Sequence, residues 1–390
     1  MLTNAGVWSP AGEWVVYDTR SDPAGGVFDG TRIEAVHADT GEVRTLLDSR
    51  KRAAGGVATW HPWREQVVFI FGPERPEADG WTYAPARRQG VVLDVPTGRV
   101  EPLEARDLTP PFTLGSLAGG THVHQFSPDG RFVSFTYDDH LLTERGINAR
   151  TVGVARLGRP VRVPMTHPRN QSGTATCGLV VSPGVGGMVR ACEEAWVGPR
   201  TLAFQGTVRT PVGDVVEAFA ADLPDDFAPP ARASADVPTP ALPGINIRRL
   251  TFTESDPRPG LGGPRHWLRA APDGSRVAFL RLDAGGRAKL WTVPTAGGTA
   301  VEVLHAGGVE SAFTWHPDGE RVACILGGCV VLIDVRTGQI EARTAPGDPA
   351  DAPRPEACVV SPDGRLVAFV RNLAWAGGGR VNQVCVAAVA

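Results

Sequence analysis

The chain has 390 residues, 42% of them hydrophobic, with 47 glycines, 34 prolines and a formal net charge of −3. This composition supports a large core connected by many turns and excludes a disordered chain. The slightly acidic balance excludes a broad electrostatic attraction to nucleic acid or to an anionic membrane, so neither is expected as a partner.

The cysteines and the N-terminus bear on the cellular compartment. The six cysteines show no Cys-x-x-Cys spacing, and most lie in apolar runs, which predicts buried free thiols in a reducing environment. No apolar run is long enough to span a membrane, and the start of the sequence lacks the basic and apolar regions of a signal peptide. We therefore expect a cytoplasmic protein, or a periplasmic one if a signal peptide precedes this sequence.

A turn motif recurs from the start of the chain to its end. Its full form is a large apolar residue, Ser or His, Pro and Asp-Gly, which three of the six copies show, and an alternating apolar run follows each copy. Six copies occupy residues 8–12, 60–64, 126–130, 270–274, 315–319 and 360–364. Proline presets φ, aspartate accepts hydrogen bonds within the turn and glycine tolerates positive φ, so each copy predicts a tight turn between two strands.

A second turn, Thr-Gly or a variant of it, closes many of these units, so that each reads as a four-stranded antiparallel sheet. A degenerate seventh copy begins at Trp196, in the long gap between the third and fourth intact copies. We predict an all-β fold: one seven-bladed β-propeller domain over residues 1–390, built of four-stranded antiparallel blades. The predicted blades span approximately residues 4–48, 56–104, 120–165, 189–251, 264–304, 310–345 and 356–390.

Three segments exceed the length that a blade needs and are predicted to be insertions: residues 72–89, 166–188 and 222–246. The first contains Trp81, Tyr83 and Arg88, which predicts a lid or a wall of a substrate site. The third is rich in Pro and Ala and is predicted to be a mobile surface loop.

The first strand of each blade lies innermost in a propeller, so the residues that enter it are expected to face the central channel. Aligned on the motif proline, these positions hold Asn4, Gly56, His122, Ala191, His266, Ser311 and Glu356. His124 follows His122 at the i+2 position, on the same face of a regular strand, and Glu193 is its equivalent in blade four.

Histidines and a carboxylate that converge on one axis predict a divalent metal site, with Mn²⁺ favoured and Zn²⁺ or Fe²⁺ as alternatives. The predicted ligands are His122, His124, His266 and Glu356. Two other interpretations remain open, a metal-free polar pocket and a purely structural role. The motifs of serine hydrolases, P-loop proteins, dinucleotide-binding proteins and zinc proteases do not occur in the sequence.

The repeated Ser-Pro-Asp-Gly turn followed by an apolar strand resembles the TolB-type propeller repeat over nearly the whole chain. Residues 167–170, 193–196 and 202–206 resemble an uncharacterised bacterial family of TolB-like propellers. That resemblance implies the fold but little chemistry. A TolB-like propeller can also be a non-catalytic scaffold that docks a protein partner, and this is the alternative prediction of function.

The chain also resembles, more distantly, the oligogalacturonate lyases, seven-bladed propellers that hold Mn²⁺ with a His-x-His pair and a glutamine. His122 and His124 match the pair, whereas Gly119 stands where the glutamine would be. The resemblance implies β-elimination on a uronate-type sugar. The expected substrate is a small molecule or an oligosaccharide. It implies a non-ligating histidine as base and Arg190 or Arg265 as the anion clamp, and the residues predicted to be catalytic are His124, Arg190 and Arg265. The residues expected to bind substrate are Trp81, Tyr83, Arg88, Asn4 and Glu193.

Overall fold

The structure, a computed structural model, describes residues 1–2, 4–78, 80–182, 187–265 and 267–389. Seven antiparallel sheets contain nearly all of its regular structure, and the predicted seven-bladed propeller is confirmed. One short helix, α1, spans His140–Thr143, and a 3-10 turn spans Pro349–Asp351. Within the described residues, no helix has the length and apolar character needed to cross a membrane.

The first three blades follow one another along the chain. Blade one comprises β1 (Trp14–Asp18), β2 (Arg32–His37) and β3 (Val43–Asp48), with the preceding residues beside β1. Blade two comprises β4 (Gly55–Trp60), β5 (Gln66–Phe71), β6 (Gln89–Asp94) and β7 (Arg99–Pro102). Blade three comprises β8 (Gly119–Phe126), β9 (Phe132–Asp139), β10 (Thr151–Val161) and β11 (Gly173–Leu179). The second predicted insertion therefore contributes the outer strand of blade three.

Blades four to seven repeat the pattern. Blade four comprises β12 (Met188–Trp196), β13 (Thr201–Thr210), β14 (Gly213–Asp222) and β15 (Asn246–Arg249). Blade five comprises β16 (Arg269–Ala270), β17 (Arg276–Leu282), β18 (Ala288–Pro294) and β19 (Val301–Glu302). Blade six comprises β20 (Thr314–Trp315), β21 (Arg321–Leu326), β22 (Cys329–Asp334) and β23 (Ile340–Ala342). Blade seven comprises three strands, β24 (Pro353–Val360), β25 (Leu366–Ala374) and β26 (Arg380–Ala388).

The serine of the turn motif holds the turn together. The Ser127 hydroxyl donates to Asp129 at 2.6 Å and accepts from the backbone N–H of Phe132 at 3.0 Å, so it closes the turn that leads into β9. Where histidine replaces serine, it has the same role and also contacts the next blade. Nδ1 of His316 accepts from the Asp318 N–H, and its Nε2 lies 2.9 Å from the Gly364 carbonyl.

The motif tryptophans join neighbouring blades at their inner strands. The indole N–H donates to a carbonyl of the preceding blade in three places: Trp8 to Val359 at 3.0 Å, Trp196 to Gln125 at 2.9 Å and Trp315 to Arg269 at 2.9 Å. In each pair the acceptor lies one residue before the motif position of its own blade. We call these contacts the inter-blade indole bonds. The one at Trp8 joins blade one to blade seven and closes the ring.

The third predicted insertion is anchored, contrary to the prediction of a mobile surface loop. Phe227 is 2% exposed and packs on Phe132, and Leu242 is buried against blade three. Arg232 is buried and forms an ion pair with Asp139 at 2.6 Å. The prediction rested on the high Pro and Ala content and did not take these three anchoring side chains into account.

Five of the six cysteines are buried and Cys385 is half-buried, and all six are free thiols. Burial raises the pKa of Cys192 and Cys324 to about 12, which keeps both thiols protonated at neutral pH. These residues therefore belong to the core, as predicted, rather than to a reactive site.

Removal of one inter-blade indole bond should destabilise the propeller measurably. Trp315→Phe keeps an aromatic ring but leaves the buried Arg269 carbonyl without its donor, so the free energy of unfolding should fall by about 1–3 kcal/mol. Trp375→Phe is the matched control, since Trp375 is 57% exposed, and should change it by less than about 0.5 kcal/mol. Urea denaturation measures both. Equal losses in the two variants would show that the indole bond contributes nothing.

Candidate site at the channel mouth

A shared irregularity shapes the inner strands of blades two, three and four. The residues Val57, Val123 and Glu193 adopt positive φ of 56°, 57° and 56°. At each of them the strand register shifts against the next strand. Such a β-bulge interrupts the alternation of side chains, so residues two positions apart across it need not share a face.

The bulge at Val123 gives His122 and His124 different surroundings, which corrects the prediction of a shared face. Nε2 of His124 lies 2.9 Å from the Thr121 hydroxyl, which in turn donates to Glu104 at 2.8 Å. The ring packs so closely on blade two that a Cβ at Gly90 would lie 2.5 Å from Nε2. Burial lowers the pKa of His124 to about 3. His124 is therefore a neutral part of a buried network, with no access to a substrate in the channel.

His122 lies instead beside charged residues of blades two and three. Its Nδ1 is 3.8 Å from Oδ2 of Asp138. Burial, together with the positive charges of Arg88 and Arg150, holds the pKa of His122 well below its usual value. The imidazole is consequently neutral at pH 7 and can accept a proton or a hydrogen bond.

Arg88, a predicted substrate-binding residue, lies next to this histidine. Its guanidinium is 3.5 Å from Oδ2 of Asp138 and donates to the hydroxyl of Tyr83 at 3.1 Å. Arg150 donates to the other carboxylate oxygen of Asp138 at 2.9 Å. The Tyr83 ring stacks on Phe28 of blade one, with ring centroids 4.9 Å apart. We define the channel-mouth cluster as Tyr83, Arg88, His122, Asp138 and Arg150.

Several polar atoms of the cluster are buried and have no hydrogen-bond partner in the protein. They are Nε of Arg88, Nδ1 of His122 and Oδ2 of Asp138. Each unpartnered buried polar atom costs about 1–3 kcal/mol. Three such atoms in one cluster indicate a site for water or for a polar ligand.

Blades four and five carry further buried polar groups. Burial raises the pKa of Glu194 to about 8, although its carboxylate accepts from the Thr136 hydroxyl at 2.8 Å. Burial also lowers the pKa of Arg269 to about 10, against the opposing effect of Glu193 and Glu194. Glu193 and Arg190, both predicted site residues, lie on β12 beside this group.

The remaining predicted residues lie in other surroundings. Asn4 donates from its amide to Thr59 and to the His124 carbonyl, both at 3.1 Å, and accepts from Gln125 at 2.7 Å. It thereby ties blades one, two and three together and has no free group for a substrate.

Glu356 forms an ion pair with Arg354 at 2.9 Å, on blade seven, rather than joining His122 on blade three. The Arg265 guanidinium lies 6.0 Å from the centre of the Trp267 ring. His266 lies outside the described residues. Trp81 lies between the guanidinium groups of Arg87 and Arg169, outside the channel-mouth cluster.

Within the described residues, which leave out the predicted ligand His266, no group of three or more His, Cys, Asp or Glu side chains is placed to hold a metal ion. His122 and His124 make different contacts, and the positive charges of Arg88 and Arg150 act on His122 and oppose a cation there.

Asp138, Arg150, Glu194 and Arg269 were not predicted from the sequence. Asp138 belongs to the second strand of blade three and Arg150 immediately precedes the third, whereas only the inner-strand positions had been aligned. The Tyr-Asp-Asp sequence at the end of β9 was the available signal, because acidic residues in a buried strand are rare without a function or a partner.

The comparisons with known proteins agree with this fold. The family described as a protein of unknown function (DUF3748) matches residues 54–171. The uncharacterized protein YidR of Escherichia coli K12 is 40% identical over 98% of this chain and 93% of its own length. The chain belongs to the family of YidR, as the resemblance to an uncharacterised TolB-like family had indicated.

Two solved structures illustrate the wider likeness. An oligogalacturonate lyase from Vibrio parahaemolyticus has a TM-score of 0.57 and 9% identity, over 100% of this chain and 90% of that one. The β-propeller domain of the trilobed protease from Pyrococcus furiosus has a TM-score of 0.54 and 10% identity, over 99% of this chain and 96% of that one. At these identities the likeness concerns the fold alone.

The raised pKa of Glu194 should make stability depend on pH. The pKa of Glu194 is about 8 in the folded chain and 4.5 in its ordinary state, so at pH values between these two the folded state binds more protons than the unfolded state. The folded state therefore loses stability as the pH rises towards 8. Glu194→Gln cannot ionise and should flatten this loss in urea denaturation at pH 5 to 8. Glu42→Gln, at an exposed position, should keep the wild-type slope. A wild-type slope in Glu194→Gln would contradict the assignment.

Proposed function

We propose that the channel-mouth cluster binds a small molecule that carries a carboxylate, with uronate-type sugars as the favoured class. The observation that carries the proposal is that Nε of Arg88 and Nδ1 of His122 are both buried without a hydrogen-bond partner in the protein, with the Arg88 charge acting on His122. An arginine fork matches the two oxygens of a carboxylate, and the bond is stronger in a buried site than in water.

Arg88 has no short hydrogen bond to Asp138 that a ligand would have to replace. Asp138 is 3.5 Å from Arg88 and 3.8 Å from His122, distances too long for hydrogen bonds, and its direct hydrogen bond in this cluster is to Arg150. A ligand carboxylate can therefore pair with Arg88 without breaking a good bond of the protein. The neutral His122 adds no charge that would have to be compensated.

The aromatic pair beside Arg88 favours a sugar ring over a small inorganic anion. Tyr83 and Phe28 are stacked and both are half-buried, so part of each ring remains accessible. The C–H face of a pyranose packs well on such a surface while its hydroxyls reach the neighbouring polar groups. A carboxylate and a sugar ring together describe a uronate.

A lyase reaction is a second candidate, because the neutral ring of His122 has an unprotonated nitrogen that can accept a proton. Nδ1 of His122 would take the α-proton of the bound uronate, and that C–H electron pair would form the new carbon–carbon double bond. The bond from the β-carbon to the glycosidic oxygen would break, and this oxygen would leave with the electron pair and take a proton from water. Arg88 would stabilise the negative charge that develops on the carboxylate.

Galacturonate and galactose test the binding proposal directly. Calorimetric titration should detect galacturonate binding to the wild-type protein and no binding of galactose. Arg88→Ala should weaken binding roughly 10- to 100-fold, since a hydrogen bond to a charged group contributes about 1.5–3 kcal/mol. Arg131→Ala, at a largely exposed position, is the matched control. Absence of galacturonate binding, as expected of a non-catalytic protein scaffold, would reject the proposal.

The lyase candidate requires its own assay. Wild-type protein should convert trigalacturonate to an unsaturated product that absorbs ultraviolet light, and His122→Gln should lower the rate at least 100-fold. The rate should persist below pH 6, because the pKa of His122 lies well below its usual value. Treatment with a chelator should leave the rate unchanged. A rate that falls on chelation and returns with Mn²⁺ would contradict the metal-free mechanism.

A further inference from the structure

A second cavity lies outside the channel, between the loops of blades one, two and three. Its volume is about 910 Å³, large enough for a molecule of several rings or several charged groups. We call it the outer pocket and define it by Arg50, Arg75, Trp81, Arg87 and Arg169. None of these residues belongs to the channel-mouth cluster.

The lining of the outer pocket is strongly basic although the whole chain is acidic. The cationic side chains among its described lining residues are Arg50, Lys51, Arg75, Arg87, Arg106 and Arg169. Two carboxylates, Asp48 and Glu74, share the lining, and both are already paired: Asp48 with Arg32 at 3.5 Å and Glu74 with Lys51 at 2.6 Å. Positive charge is therefore left in excess in a concave site, which concentrates anions.

Two of these arginines have no ionic partner within the described residues. Arg50 and Arg75 are exposed at the rim and form no ion pair there. They come from different blades, Arg50 from the loop after β3 and Arg75 from the loop after β5, and converge on one cavity. Two separate loops that direct arginines into the same pocket indicate a ligand with more than one anionic group.

Several side-chain contacts order the interior of the pocket. The Trp81 ring is covered by Arg87 at 4.7 Å and by Arg169 at 5.0 Å, and the His140 ring meets its edge. Asn170 is 3% exposed and donates to Asp107 and to the Pro164 carbonyl, which fixes the backbone next to Arg169. Cation–π contacts hold the guanidinium groups in place while leaving their N–H edges able to bind oxygen.

From this arrangement we propose that the outer pocket is a binding site for a polyanion, a molecule with several carboxylate or phosphate groups. Because two guanidinium groups already pack on the Trp81 ring, recognition relies on charge and on arginine forks rather than on ring stacking. The site is separate from the channel-mouth cluster and does not depend on the function proposed for it.

The test uses Arg88→Ala as the background, which removes the channel site from the measurement. Calorimetric titration with tripolyphosphate and with trigalacturonate should detect binding of at least one, and maltotriose, which is neutral, should not bind. Adding Arg50→Ala and Arg75→Ala should weaken binding at least tenfold. Binding should also weaken as salt is raised.

Arg52→Ala is the matched control, since Arg52 is exposed next to Lys51, pairs with Glu77 and does not line the pocket. It should leave the affinity within about twofold of the background. Binding of tripolyphosphate alone would identify phosphate as the recognised group, and binding of trigalacturonate alone would identify carboxylate. Absence of binding by both anions, or equal losses in the control and the double variant, would overturn the proposal.

Discussion

The propeller depends on hydrogen bonds that join one blade to the next at the inner strands. The indole bonds of Trp8, Trp196 and Trp315 each connect a motif side chain to the backbone of the preceding blade. Thr59 and Thr314 act in the other direction, donating to the inner strands of the following blades at 2.9 and 3.0 Å. Together with the polar contacts of Asn4 and His316, these directional bonds constrain the rotation of one blade relative to the next.

This constrained rotation makes a polar channel wall possible. The channel-mouth cluster takes Arg88 and Tyr83 from blade two and His122, Asp138 and Arg150 from blade three, with Phe28 of blade one behind them. No single blade supplies the whole cluster. The cost of burying these polar groups is met by the packing of the blades around them.

The sequence predicted the fold well because the fold is a repeat, and each turn motif reports the position of its blade. The channel residues were harder to predict, since a regular alternation was assumed at His122 and His124. The bulge at Val123 breaks that alternation, and nothing in the sequence announces it, because a β-branched residue is a poor candidate for positive φ. Asp138 and Arg150 were not predicted as site residues because only the inner-strand positions had been aligned. The third predicted insertion, residues 222–246, is anchored by Arg232. Its partner Asp139 is 93 residues away in the sequence, so the sequence did not reveal the contact.

One buried side chain links the two basic sites. Arg106 donates from its guanidinium to the carbonyls of Arg87 and Arg88, at 3.1 and 2.7 Å, so a single group holds the backbone from which both arginines extend. Arg87 belongs to the outer pocket and Arg88 to the channel. The positions of both arginines therefore depend on one guanidinium, and loss of the Arg106 side chain would remove hydrogen bonds from both backbone carbonyls at once.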